Sequence, residues 1–87
     1  MWGAELIQDI KEELIAHAAA EYPNECCGLV VVFKGRNKYV RCRNIAADTG
    51  NHFEIHPEDF LATEELGEIV AVCHSHPNAR STPSEAE

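Results

Sequence analysis

The sequence predicts a small α+β (mixed α/β) domain, a mixed β-sheet flanked by helices. Three observations lead there. Apolar residues near the N-terminus recur at the helical period, and two β-rich runs joined by turn residues fill the middle. A second helix, opened by a proline, then precedes one more apolar run. At 87 residues, 45% hydrophobic and 25% charged, the chain is one globular domain at most, covering 1–87.

The first helix rests on Leu6, Ile7, Ile10, Leu14, Ile15 and Ala18, with charges on the opposite face, and Pro23 stops it. Gly28 to Lys34 follows as an apolar strand. Gly35-Arg36-Asn37 supplies the turn, and Lys38 to Asn44 returns as a half-exposed strand. A further turn, Asp48-Thr49-Gly50-Asn51, leads to a short extended piece, His52 to Ile55. Pro57, Glu58 and Asp59 open the second helix. Phe60, Leu61 and Leu66 give it an apolar side, and Gly67 ends it. Glu68 to His74 is nearly all apolar, as a central strand would be. Ser84-Glu85-Ala86-Glu87 has the pattern of a capping box, with Ser84 as N-cap. A helix start at the last residues reads as the front part of a longer domain, truncated at the C-terminus.

Charge and cysteine usage exclude several roles. Seven Lys and Arg against fifteen Asp and Glu leave a formal charge of −8, which repels phosphate backbones and argues against nucleic acid. No apolar run is long enough to span a bilayer, and the N-terminus lacks signal-peptide patterning, so the cytoplasm is the default location. Four cysteines without C-x-x-C spacing fit a reducing compartment, with Cys42 and Cys73 as buried, inert thiols in strand patterns.

The chemistry gathers at His74-Ser75-His76-Pro77. Two imidazoles one residue apart on an extended backbone point to the same side and can grip one metal ion. Glu87, a short loop later, can close the triangle. Three protein ligands with one open position describe a catalytic zinc site. Such a site yields a hydroxide nucleophile near neutral pH, and a metal-dependent hydrolase follows. The bland alternative, two ordinary loop histidines, suits a lone His better than this pair. Ser75 points away from the metal and is assigned no chemistry. Glu25, just before the first strand, is either a solvated acid or a base that shuttles protons between the attacking water and a leaving amine. It would lie beside the end of the His74 strand if the two strands are sheet neighbours. Ser84 is either an N-cap worth about 1 kcal/mol or a donor to a developing oxyanion.

Together these residues resemble the JAMM motif of the MPN (Mov34-type) metalloproteases. That motif is an upstream Glu, then H-[ST]-H-P, six residues, Ser, two residues and Asp, and the spacing here fits without a gap. Asn24-Glu25-Cys26-Cys27-Gly28-Leu29 is similar to the E-x-C-G-L segment of the bacterial and phage branch. His52 to Phe60 is similar to the matching segment of phage tail assembly proteins of the lambda K type. The resemblance implies an MPN/cytidine-deaminase-like core and a zinc peptidase or isopeptidase acting on a peptide or protein. It also implies metal ligation by His74 and His76, general base and acid work by Glu25, and an intermediate steadied by Ser84. Phage tail proteins and an NlpC-type peptidase domain are the partners it implies, with a virion-associated location if the chain is phage-derived. The chain departs at residue 87, where Glu stands in place of the family's Asp.

Two other functions compete. One is a non-catalytic MPN scaffold or tail-assembly subunit. The other is a thiol peptidase built on Cys26 or Cys27 with a histidine. An exposed sheet edge also offers a route to a homodimer.

Overall fold

A computed structural model describes residues 4–77 of the chain. Its elements run α1 (Ala4–Glu21), β1 (Cys27–Phe33), β2 (Arg36–Cys42), α2 (Pro57–Leu66) and β3 (Glu68–His74). The sheet order is β2-β1-β3, and where a mixed sheet was expected every described pairing is antiparallel. The α+β class holds, with β1 at the centre because it is the most continuously apolar and buried strand. Ser84, Glu87 and the capping box expected there lie outside the described residues, as do the side chains of Leu6 and Ile7.

α1 buries Ile10 and His17 and half-buries Leu14, a stripe at helical spacing, while Ile15 is 51% exposed. His17 can be buried because its Nδ1 lies 2.8 Å from the Tyr39 hydroxyl, which satisfies both polar groups. On that face of the sheet Ile10, Val30, Tyr39 and Cys73 form one core. Cys27, Leu29 and Cys42 form a second on the other face, with Val40, Phe53, Ile55 and Ile69 packed around it.

The hairpin turn is tighter than the sequence suggests. Lys34 and Gly35 both take positive φ, 53° and 77°, and Phe33 pairs directly with Arg36. A two-residue turn with both φ positive matches the twist of the flanking strands. β2 therefore resumes at Arg36 and not at Lys38.

α2 begins at Pro57, with the His56 Nδ1 accepting the Glu58 N–H at 3.1 Å. Its predicted apolar side is overturned. Phe60, Leu61 and Leu66 are exposed, and the buried residue is Thr63, whose hydroxyl donates to the Asp59 carbonyl at 2.8 Å. Gly67 is required by proximity, not by a left-handed conformation. Its φ of 171° is extended, and a Cβ there would overlap the Val32 carbonyl oxygen. β3 has its predicted bounds but is an edge among the described strands, with Val70 and Val72 exposed and a register shift opposite Val30 and Val31.

Candidate metal centre

β1 and β3 are sheet neighbours, and the register sets Cys27 opposite His74. Side chains alternate along a strand, so Glu25, two residues before Cys27, is carried toward the His74 face. One donor atom from each of Glu25, His74 and His76 lies within 4.8 Å of the others. The Glu25 Oε1 is 3.5 Å from the His74 Nδ1. Both atoms are buried, and neither has a hydrogen-bond partner among the described residues. Buried polar atoms are almost always paired, so two facing orphans mark a place that suits a cation. Two imidazoles and a carboxylate are also donor types that zinc takes.

Residues of no obvious importance in the sequence hold this cluster. The Phe53 ring stacks on His74, with centroids 4.4 Å apart and planes 18° apart, and His76 meets His74 edge-on at 4.4 Å. Asn44 donates to the Glu25 carbonyl at 2.9 Å and to the His52 carbonyl at 3.0 Å. Its Oδ1 accepts the N–H groups of Ala46 and Glu54, each at 3.0 Å. The Glu25 N–H donates to the Thr49 carbonyl at 2.6 Å. The segment from Asn44 to Ile55 thus holds the Glu25 backbone and also supplies the ring that stacks on His74. An Asn just after a strand is a turn signal, but nothing local tells that its partner is residue 25.

Ser75, between the two histidines, is buried. Its hydroxyl accepts the Cys26 N–H at 2.9 Å, and its own N–H donates to the Cys26 carbonyl at 3.1 Å. A cleft of about 430 Å³ opens beside Glu25, lined also by Asn24, Arg41, Arg43, Asn44 and Thr49. Arg43 is neutralised by a two-pronged pair with Asp59, at 2.8 and 3.1 Å. That pair holds the Asp59 carboxyl down at about 2.

The four cysteines are free and buried. Burial pushes the thiol of Cys27 up to about 12 and those of Cys42 and Cys73 to about 11, and it raises Cys26 as well. Thiols held protonated this firmly are poor nucleophiles at neutral pH, which weighs against a thiol peptidase.

Comparison with known proteins agrees with the motif and the geometry. Residues 8–86 match the family described as prokaryotic homologs of the JAB domain. The chain belongs to this JAB-domain family. The family's match includes both histidines, Glu25 and the segment that carries Ser84, and it stops one residue short of Glu87. Among individual relatives, the tail tip assembly protein K of Escherichia phage N15 is 47% identical over 76 residues. That alignment takes in 87% of this chain but only 31% of the phage protein, so the chain spans about a third of that relative's length. No solved structure matches significantly. No described helix of this JAB domain is long and apolar enough to cross a membrane.

Proposed function

We propose that this JAB domain is a zinc-dependent peptidase or isopeptidase of the phage tail-assembly type. The observation that carries the reading is the convergence of Glu25, His74 and His76, with the Glu25 Oε1 and the His74 Nδ1 buried, facing and without a hydrogen bond among the described residues. His74 and His76 hold the zinc, with Glu87 as the third protein ligand. Bound there, zinc supplies Lewis acidity and makes hydroxide available near neutral pH.

The chain's own residues do the remaining work. Glu25 takes a proton from the attacking water and delivers it to the leaving amine. Its short reach to His74 keeps the carboxylate beside the reacting centre. Phe53 fixes the plane of the His74 ring, so ligand geometry is set before substrate arrives. Ser84 donates a hydrogen bond to the developing oxyanion. The 47% identity to a tail tip assembly protein supports phage tail proteins as partners and a site of action in the infected cytoplasm or on the virion.

Zinc titration and hydrolysis of a cross-linked peptide test this. One zinc per chain should bind, and His74→Ala and His76→Ala should abolish binding. Glu25→Gln should keep the metal and lose hydrolysis, and a chelator should stop turnover. A chain that binds no zinc, or hydrolysis indifferent to chelator, would refute the proposal. Glu87 in place of Asp favours a second reading, a metal-binding scaffold of the tail tip. Zinc bound tightly without hydrolysis would select it.

A further inference from the structure

The motif's middle residue has a task that metal ligation leaves out. Ser75 lies between two candidate ligands, yet its side chain is 2% exposed and its hydroxyl is bound to the Cys26 backbone. It makes a two-point clasp there. The hydroxyl accepts from Cys26 N–H at 2.9 Å, and the Ser75 N–H donates to the Cys26 carbonyl at 3.1 Å. Cys26 follows Glu25 directly in the chain and is 49 residues from Ser75. The last β1–β3 pair in register is Cys27 with His74, so the clasp extends the pairing by one residue on each strand.

Glu25 is tethered from two directions. Its own N–H and carbonyl are bound by Thr49 and Asn44, which come from the loop beyond β2. Those bonds fix Glu25 relative to the loop, which reaches the histidines through the Phe53 ring on His74. The Ser75 clasp carries the β1–β3 link past Cys27 and His74 to the residue next to Glu25.

On the zinc-hydrolase reading above, we infer that Ser75 is a positioning residue that sets the separation between the Glu25 carboxylate and His74. A hydroxyl is needed because the buried Cys26 N–H has to be accepted, and alanine offers no acceptor. Threonine offers the same oxygen. The histidines can still bind metal without the clasp, since only one residue separates them in the chain, His74 ending β3 and His76 lying just beyond it. Misplacing a proton-transferring group by about 1 Å costs on the order of 100-fold in rate.

The test compares wild type, Ser75→Ala and Ser75→Thr as full chains. In the metal-free protein, NMR reads the nuclear Overhauser contact between the Glu25 side chain and the His74 ring. Competition against a chromophoric chelator reads zinc affinity, and steady-state hydrolysis reads kcat and KM. Ser75→Ala should lose the Glu25–His74 contact, keep zinc affinity and KM, and drop kcat about 100-fold. Ser75→Thr should restore the contact and kcat together. The inference is overturned if Ser75→Ala keeps the contact, if it loses zinc along with kcat, or if Ser75→Thr fails to restore. If the wild type binds no zinc or hydrolyses nothing, the functional reading falls, and the metal-free contact alone still decides the role of Ser75.

Discussion

The Glu25 Oε1 and the His74 Nδ1 face each other across 3.5 Å, both buried and neither hydrogen-bonded to any described residue. A metal-free protein carries this as a local deficit. Leaving one buried polar atom unpaired costs about 1–3 kcal/mol. Glu25→Gln removes the charge and adds a donor for the imidazole nitrogen. The metal-free variant should therefore melt higher than wild type, by about 4–8 °C for each kcal/mol recovered. Calorimetry of both proteins in chelator checks this, and a lower midpoint for the variant would contradict it.

Phe53 covers the His74 ring in a stack at 4.4 Å. Phe53→Ala should free the ring to rotate and weaken zinc binding by about 10–100-fold, the range seen when groups supporting a metal ligand are lost. Phe53→Trp keeps an aromatic face and should lose less. Competitive zinc titration separates the two.

Asn44 spends its side chain on four backbone groups, donating to the carbonyls of Glu25 and His52 and accepting from Ala46 and Glu54. At about 1 kcal/mol per bond, less what water recovers, Asn44→Ala should lose about 2–3 kcal/mol. Asn44→Asp keeps the two acceptor bonds but sets a carboxylate oxygen against the Glu25 and His52 carbonyls, and should lose at least as much. Urea midpoints at constant slope measure both.

His17 sits buried against Tyr39, and burial pushes its imidazole below the ordinary 6.5. Arg41 acts in the same direction, and Glu21 opposes it. The unfolded chain takes up this proton near 6.5 while the folded chain resists it. The stabilisation is thus complete above pH 6.5 and is lost as pH falls through the lower folded value. Below that range the loss levels off. Urea midpoints measured against pH should decline below pH 6.5, and His17→Gln should flatten that decline. An unchanged slope in the variant would remove His17 as its source.

The elements of the fold were legible because each has a local cause. Apolar period, Pro23, Pro57 and the β-rich runs set α1, β1, α2 and β3 to within a residue or two. Their faces were read less well. Ile15 and Leu61 look like core residues, yet His17 and Thr63 are buried in their place, because each found a hydrogen-bond partner that pattern alone does not reveal.

By itself the sequence determined the family, the likeness to a metallohydrolase motif and the side-by-side aim of His74 and His76. All of these follow from residue identity and from spacing along the chain. Only the tertiary structure decided what surrounds that pair. Glu25 reaches His74 because β1 pairs with β3, Phe53 lies on the ring because the loop after β2 folds back, and Asn44 and Ser75 bind backbone far away in the chain. Such contacts depend on strand register and loop path, which are set by packing the whole domain and not by any local run of residues.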